Sequence, residues 1–289
     1  MSWEIAVCGT LHRNDIATPE GVDPDVIGGS ALYCALAASQ YAPVYVNGIV
    51  GDDCADRIRQ IVTDLPIDLA GMDVSSTPTH YWHVTHDFEH WIARERGVQV
   101  GADAQWAPHL SLEAAKANVL FLGSADPALQ LDAIQQSSAR LIGADTMTRF
   151  INEQRDAVNA VVAHCDVLFV NEHELAALCG DNSAEGAREL VGQGRLRAVV
   201  AKFGPEGAAL VTRDAVRRYD PYPVARVIDP TGAGDAVAGG FLGLCAQRER
   251  DDEATLVAAL DEGMKCAAAA LSSFGTRVLE RQARTSLAS

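Results

Sequence analysis

The sequence predicts an α/β fold, in which a mainly parallel sheet carries helices on both faces. Short apolar runs typical of buried strands alternate along the chain with segments of helical character. Such alternation indicates parallel strands joined by helical crossovers. The chain has 289 residues and neither an internal repeat nor a flexible linker divides it. We therefore expect one domain over residues 1–289, a size that a single large α/β unit can reach.

The elements follow from local patterns. The first strand is predicted at residues 5–7, an apolar run that ends near Gly9 and continues into a polar loop. A buried helix is predicted after Gly28 and Gly29, because residues 30–41 are mostly helix formers with small side chains. Later strands are predicted near residues 44–50, 67–72, 119–122, 141–144, 167–170 and 197–203, and helices near 127–137, 148–163 and 236–247.

One stretch, about residues 74–104, departs from this alternation. It is rich in aromatic and β-branched residues and has weak helical periodicity, which favours short antiparallel strands. Because it lies between two βα units, we expect it to project from the sheet as a small β lid. Aromatic side chains there could stack on a ring-shaped ligand or pack two lids together in a homodimer; they are Tyr81, Trp82 and Trp91.

Composition and charge restrict the class of protein. Apolar residues make up 48% and charged residues 21%, which excludes a mostly disordered chain. A formal charge of −16 disfavours binding to nucleic acid or to an anionic membrane, but it permits a local phosphate site at a helix N-terminus. The seven cysteines form no C-x-x-C pair, and the sequence contains neither a signal peptide pattern nor a membrane-spanning apolar run. We therefore expect a cytoplasmic protein without disulfides.

The strongest chemical signal is the segment 227–235, which ends in Gly232, Ala233, Gly234 and Asp235 before a predicted helix of small residues. Small residues let the backbone approach a ligand closely, and the N–H groups at a helix N-terminus attract anions. A carboxylate in that first turn could take the proton of an alcohol that attacks phosphorus. A lone Asp there would usually be a helix cap, but the surrounding segment favours phosphoryl transfer.

This segment resembles the second signature of the ribokinase-like, phosphofructokinase-B-type carbohydrate kinases, which the chain matches from Asp229 to Leu242. The resemblance extends in the expected order over most of the chain and implies a ribokinase-like three-layer fold. It also implies that Asp235 is the catalytic base. Residues 232–234 would then form the anion hole for the transferring phosphoryl group.

Two further matches imply metal sites. Asn171 and Glu174 match the family's N-x-x-E motif, which implies that they organise magnesium and phosphate, largely through water. Taken alone, the same pair would be the N-cap and the capping-box partner of the next helix, and both roles can hold together. Asp229 and Thr231 match positions that in several members help to bind a monovalent cation such as K⁺.

A glycine-containing turn between two β runs resembles the family's K-x-G-x-x-G nucleotide loop. The match implies that Lys202, Gly204 and Gly207 contact the nucleotide. The G-x-x-G spacing alone is a weak signal, because most such turns merely reverse a hairpin. Its place between the other two motifs strengthens the match.

The N-terminal half is expected to bind the phosphoryl acceptor. Gly28 and Gly29 resemble the family's paired glycines, which let sugar hydroxyls approach the backbone, but Tyr33 stands where the first signature usually has Asn. The family's substrate-binding Asp corresponds to Asn14, with Asp15 adjacent. Neighbouring residues of an extended chain point to opposite sides, so either Asn14 replaces the carboxylate or a local shift presents Asp15.

Four histidines within residues 80–90 raise a competing function. Their spacing would place them on one face of a helix, where they could bind a transition metal. The surrounding sequence is β-like, however, and on a strand His80 and His86 would share one face while His83 takes the other. Solvated or substrate-adjacent histidines are therefore favoured; the four are His80, His83, His86 and His90.

The resemblance implies an ATP-dependent, magnesium-requiring kinase that phosphorylates an alcohol of a sugar or sugar-like molecule. A nucleoside kinase with the same chemistry is the nearest alternative, in which Tyr33, Tyr81 and Trp82 would stack on a base. A non-catalytic sugar or nucleotide sensor could use the same pocket, although the intact catalytic-side motifs favour an enzyme. The sequence contains no P-loop, no G-x-G-x-x-G dinucleotide fingerprint and no serine nucleophile elbow.

Overall fold

The computed structural model describes residues 4–287, which contain two separate sheets. The outermost residues of the predicted domain, 1–3 and 288–289, lie outside the described residues. Neighbouring strands of the larger sheet are parallel except at one edge, where two consecutive hairpins make the last three strands along the chain antiparallel. From one edge to the other this sheet contains β13 (Val216–Tyr219), β12 (Ala208–Thr212), β11 (Ala198–Lys202), β10 (Val167–Asn171), β9 (Leu141–Asp145), β8 (Val119–Leu122), β1 (Ile5–Cys8), β4 (Val44–Gly51) and β5 (Ile67–Ser75).

Helices cover both faces of the larger sheet, as the alternation of elements predicts. In β1, Ile5 and Val7 pack into one core while Ala6 and Cys8 pack into the other, because successive side chains of a strand point to opposite faces. The result is a three-layer α/β fold. The helices are α1 (Ser30–Ala38), α2 (Ala55–Ile61), α3 (Leu112–Ala115), α4 (Pro127–Gln136), α5 (Thr148–Glu153), α6 (Arg155–His164), α7 (Glu172–Cys179), α8 (Ala233–Arg248), α9 (Glu253–Leu271) and α10 (Arg277–Leu287).

The first core contains side chains from α1, α2, α8, α9 and α10, and the second contains side chains from α3, α4, α6 and α7. Helices α1 and α8 pack closely because α8 presents glycine to its neighbour. A Cβ atom at Gly239 would lie 2.3 Å from the carbonyl oxygen of Cys34. This close packing positions the N-terminus of α8 beside the carboxyl ends of the central strands. No helix in the described part of the chain has both the length and the apolar character needed to cross a membrane.

The smaller sheet forms the lid, with the strand order β3-β2-β6-β7. The predicted excursion supplies two of the four lid strands. It is also shorter than predicted, because residues 74–75 still belong to β5 and residues 102–105 form a 3₁₀ turn. The expectation of a loop after the first strand is wrong, because two further lid strands lie there. Polar cross-strand contacts replace apolar alternation in these strands, as in the 2.7 Å ion pair between Arg13 and Asp25. The lid strands are β2 (His12–Thr18), β3 (Gly21–Gly28), β6 (Tyr81–Asp87) and β7 (Ile92–Gln99).

Candidate active site

A cavity of about 930 Å³ lies between the lid and the carboxyl ends of the strands of the larger sheet. Three adjacent strands, β9, β10 and β11, end there in Asp145, Asn171 and Lys202. The first turn of α8 closes the floor of the cavity, and lid residues form its roof. This is the edge of an open α/β sheet at which ligands generally bind.

The loop before α8 is held in place by a buried carboxylate. Asp229 is fully buried and accepts hydrogen bonds from the N–H groups of Thr231 at 2.9 Å and Gly275 at 3.1 Å. Gly232 then adopts a left-handed backbone with φ of 75°, and a Cβ atom there would lie 2.3 Å from the ring of Tyr33. Glycine is therefore required at this turn for two reasons. The turn places Gly232 and Gly234 at the cavity, where N–H groups at the start of a helix can bind an anion, whereas Ala233 does not line the cavity and its N–H donates to the Pro230 carbonyl oxygen at 3.3 Å.

Three carboxylates and one ammonium group meet at the cavity floor. The Lys202 Nζ lies 3.1 Å from the Asp145 Oδ2 and directly beside the backbone of Gly234. Burial, followed by repulsion from Asp145, raises the pKa of Asp235 to about 7, although Lys202 opposes the shift. Burial and Asp145 likewise raise the pKa of Glu174 to about 8. These raised pKa values favour protonated Asp235 and Glu174 near neutral pH, and a further cation at the floor would favour the ionised forms instead.

This electrostatic arrangement suits phosphoryl transfer. A base with a pKa close to neutral can accept a proton at physiological pH and release it again. Carboxyl groups that lie close together also suit a hard divalent cation, since oxygen donors are the ligands that magnesium prefers. The residues present therefore fit magnesium held between the carboxylates and the phosphates of a nucleotide.

The predicted N-x-x-E pair forms a capping box at the start of α7. The Asn171 Oδ1 accepts hydrogen bonds from the N–H groups of His173 and Glu174, both at 2.9 Å, and the Glu174 Oε2 accepts one from the Asn171 N–H at 2.8 Å. The capping interpretation is thus confirmed. Glu174 also lines the cavity, whereas Asn171 does not. Their roles toward magnesium stay predictions.

The predicted nucleotide loop divides into two parts. Lys202 lines the cavity, whereas Gly204 and Gly207 lie in the turn between β11 and β12 and do not line it. Both glycines have left-handed backbones, and a Cβ atom at Gly207 would lie 2.0 Å from the Tyr219 carbonyl oxygen. The two glycines therefore shape the turn, and their contact with a nucleotide stays a prediction.

Asn14 and Asp15 lie in different surroundings on β2. Asn14 is 2% exposed and lines the cavity. Asp15 points away from it and accepts hydrogen bonds from the Tyr81 hydroxyl and, at 2.9 Å, from the Asp25 N–H, with the His83 Nδ1 2.8 Å away. The pairing of β2 shifts register between Asn14 and Ile16, but these partners hold the Asp15 carboxylate outside the cavity, so contact of either residue with an acceptor stays a prediction that the structure favours for Asn14.

The paired glycines and Tyr33 lie together at the acceptor side. Gly29 lines the cavity with φ of 105°, and a Cβ atom there would lie 2.3 Å from the Thr10 carbonyl oxygen. Gly28 does not line the cavity and instead packs against Asn14 and Tyr33. The Tyr33 side chain lines the cavity and is 1% exposed, and its hydroxyl has no hydrogen-bond partner among the described residues. Tyr33 thus brings a buried donor to the site where the family signature usually has Asn.

The side chains of the four histidines within residues 80–90 do not meet at one common site. Of these, His80 and His86 line the cavity, which confirms that they share a face, while His83 lies outside the cavity. Each ring nitrogen meets a different partner: His80 lies by Asp103, His83 by Asp15, His86 by Thr231 and His90 by Asp87.

Several cavity residues escape detection from the sequence motifs. The sequence could have identified Asp145 as a site residue, because ligands bind at the carboxyl ends of parallel strands and Asp145 is a carboxylate at the end of a buried strand. His86 was identified from the histidine spacing, but not its contact with the anion-binding loop, in which its Nε2 lies 2.8 Å from the Thr231 Oγ1. His12 and Trp106 also line the cavity, from segments far apart in the chain.

Comparisons with known proteins agree with these observations. The family model of the pfkB family carbohydrate kinases matches residues 26–282. A nucleoside kinase from Methanothermobacter thermautotrophicus is 28% identical over 231 residues, which cover 74% of this chain and 70% of that protein. A 1-phosphofructokinase from Haloferax volcanii is 32% identical over 284 residues, which cover 93% and 86% of the two chains.

A solved structure matches over nearly the whole length. The fructokinase from Vibrio cholerae O395, determined with fructose, ADP and a calcium ion, superposes with a TM-score of 0.79 at 22% identity and covers 99% of each chain.

Proposed function

Because the chain belongs to the pfkB family of carbohydrate kinases and has the ribokinase-like fold, we propose that its cavity transfers the γ-phosphoryl group of ATP to an alcohol of a sugar or nucleoside. One observation carries the proposal above all others. Asp235, with a pKa raised to about 7, stands in the first turn of α8 beside the Lys202 ammonium group. A base, an anion-binding turn and a cation are thus assembled at one point.

The reaction then follows from the positions of these groups. Asp235 accepts the proton of the acceptor hydroxyl as its oxygen forms a bond to the γ-phosphorus, and the bond from phosphorus to the departing ADP oxygen breaks. The N–H groups of residues 232–234 and the Lys202 ammonium group stabilise the negative charge on the transferring group. The lid excludes water, which would otherwise compete as the acceptor.

Magnesium would neutralise charge on the nucleotide phosphates when bound. We assign its binding to Glu174 and Asn171 through water, with Asp145 adjacent on the next strand. We assign the monovalent cation, K⁺, to Asp229 and Thr231. Both Asp229 oxygens already accept N–H groups, but each keeps a second lone pair that a weakly held cation could share.

A nucleoside acceptor is the second candidate, and a specific observation favours it. Trp82 and Trp106 line the cavity, and aromatic rings are good stacking partners for a base. Tyr81 does not contribute as predicted, because its ring lies beneath the Arg13 guanidinium, 4.5 Å from the ring centroid, and its hydroxyl bonds Asp15. The similar protein from M. thermautotrophicus is a nucleoside kinase, which agrees with this candidate.

The test is magnesium-dependent release of ADP from ATP across a panel of sugars and nucleosides, with an acceptor-free reaction as the blank. We expect a signal that requires one class of acceptor and that falls by about a thousandfold in Asp235→Asn. The acceptor with the highest kcat/KM then names the substrate class. Normal ATP binding without acceptor-dependent ADP release from any member would count against kinase activity and in favour of a sensor.

We also propose a homodimer that forms through the lid. Strand β7 is an edge strand of the lid sheet and exposes Ile92 and Val98, and Trp91 beside it is 37% exposed. An edge strand has unpaired backbone groups that a second copy can pair with, and the opposite charges of Arg94, Glu95 and Arg96 could form ion pairs across such an interface. We expect light scattering to give the mass of two chains, and the double change Ile92→Lys with Val98→Lys to give the mass of one. A single-chain mass for the unchanged protein at every concentration would contradict the dimer.

We infer a reducing cytoplasm as the location. All seven cysteines are free thiols, and all but Cys179 are buried. Burial raises the pKa of Cys8 to about 12, which keeps that thiol protonated and unreactive. Such thiols support a compartment in which disulfides do not form.

A further inference from the structure

A second cluster of metal-binding groups lies on the lid side of the cavity, away from the carboxylates of the floor. It consists of His12, His80 and Asp103, all of which line the cavity. The His80 Nδ1 lies 2.9 Å from the Asp103 Oδ2, and the His12 Nε2 lies 3.9 Å from the same oxygen. Within residues 4–287, no other three His, Cys, Asp or Glu side chains bring their ligand atoms within 4.8 Å of one another.

The three residues come from separate segments that the backbone ties together. The Arg13 N–H donates to the His80 carbonyl oxygen at 2.9 Å, and the Ala102 N–H donates to the Pro78 carbonyl oxygen at 3.0 Å. Gly101 makes this approach feasible, because a Cβ atom there would lie 2.3 Å from the backbone nitrogen of His80. The cluster is therefore held by the fold rather than by flexible side chains alone.

The protonation of the cluster suits a metal. Burial, reinforced by repulsion from His80 and opposed by Asp103, lowers the pKa of His12 to about 4, so its ring is neutral at pH 7. Its Nε2 is buried and has no hydrogen-bond partner among the described residues. Burial acts to raise the pKa of Asp103, but the hydrogen bond to His80, the charges of His80 and His12 and the backbone hydrogen bond at Gly101 together outweigh it, and the pKa is lowered. A neutral imidazole and an ionised carboxylate are the forms that bind metals.

We propose that His12, His80 and Asp103 form a binding site for a divalent transition metal of the zinc type. Two imidazoles and one carboxylate are a ligand set that suits zinc rather than magnesium. Ligand atoms around tetrahedral zinc lie roughly 3.3 Å apart, a value between the observed 2.9 Å and 3.9 Å. The ion would take the place of the contact between His80 and Asp103, and water or a ligand in the cavity would supply its remaining coordination.

Binding of one ion by both imidazoles requires at least one ring to turn out of the stacked arrangement that the structure shows. The rings of His12 and His80 lie 4.5 Å apart between centroids with an interplanar angle of 25°. The lone pairs of near-parallel rings point side by side rather than toward one point, so a side-chain rotation of His12 or His80 accompanies binding of the ion. The site is separate from the magnesium cluster, because none of its three ligands contacts Glu174, Asp145 or Asp235 in the described hydrogen bonds and ion pairs.

The experiment is a titration of the whole protein with Co²⁺ in excess Mg²⁺ and without nucleotide, followed by visible absorption and completed by displacement with Zn²⁺. Excess Mg²⁺ occupies the carboxylates of the floor. We expect one Co²⁺ per chain and a tetrahedral ligand-field spectrum that Zn²⁺ removes. His12→Gln and Asp103→Asn, which keep size and polarity, should each weaken binding by about tenfold or more.

Matched controls keep the result specific. His83→Gln changes a lid histidine outside the cavity, and Cys179→Ser removes the one thiol that is not buried, so both should bind Co²⁺ as the unchanged protein does. Circular dichroism verifies that each variant is folded. Unchanged Co²⁺ affinity in folded His12→Gln and Asp103→Asn, or the absence of binding to the unchanged protein, would overturn the proposal. Kinase turnover does not enter this readout, so failure of the acceptor panel leaves it intact.

Discussion

Asp235→Asn should lower kcat by about a thousandfold, within the range that a general base contributes. The amide keeps the size of the side chain but cannot accept the proton of the acceptor hydroxyl. ATP affinity should change little, because the anion-binding turn and Lys202 remain. Steady-state kinetics with the best acceptor and calorimetric titration with ATP measure the two quantities. Asp132→Asn, at an exposed position on α4, is the matched control and should be active.

The pH dependence tests the same assignment. A base is active only when ionised, and the pKa of Asp235 is raised to about 7. The kcat/KM of the unchanged enzyme should therefore fall as the pH decreases through about 7 and level off above it. The residual activity of Asp235→Asn should lack this limb. Near-normal turnover in the variant, or a flat profile in the unchanged enzyme, would refute the role of Asp235 as the base.

Lys202→Met should produce the second-largest loss, about a hundredfold in kcat/KM for ATP, as expected for an electrostatic group at a transferring phosphoryl. Lys202 has a second effect, because its positive charge holds down the pKa of Asp235. Without it, the carboxylates of Asp145, Glu174 and Asp235 repel without compensation. The acidic limb of the pH profile should therefore move to higher pH. Initial rates at varied ATP and pH measure both effects.

Two variants make the Lys202 result interpretable. Lys202→Arg keeps the positive charge and should leave the acidic limb close to its original pH, even if turnover falls. Lys116→Met removes an exposed ammonium group outside the cavity and should behave as the unchanged enzyme does. A Lys202→Met enzyme with an unshifted profile would show that Lys202 does not set the ionisation of the base.

The local structure around Asp235 and around the capping pair was predictable from the sequence because its determinants are contiguous. Asp235 and the glycines before it lie on one turn, and the capping pair Asn171 and Glu174 spans one turn of α7. The buried strands of the larger sheet were also predictable, since each is a short apolar run packed on both faces. Local sequence carries these features without help from distant residues.

The acceptor side was less predictable because its determinants are distributed. Strands β2 and β3 contain many polar residues and pair with other lid strands. Such strands lack the short apolar run by which a buried strand is recognised in a sequence. The choice between Asn14 and Asp15 depends on Tyr81 and His83, which come from another excursion of the chain. The contact of His12 with Asp103 likewise requires two loops to meet.

The origin of the lid has a consequence for how this protein could diversify. Its four strands come from two separate excursions, each of which leaves the larger sheet and returns to it. Selection can therefore alter the acceptor-contacting surface by changing inserted segments, without disturbing the strand ends that carry Asp145, Lys202 and the turn before α8. New acceptors would then arise by exchanging the roof over an unchanged reaction centre. Similar kinases are named for a nucleoside and for a phosphorylated sugar, as expected if the lid segments change while the larger sheet is kept.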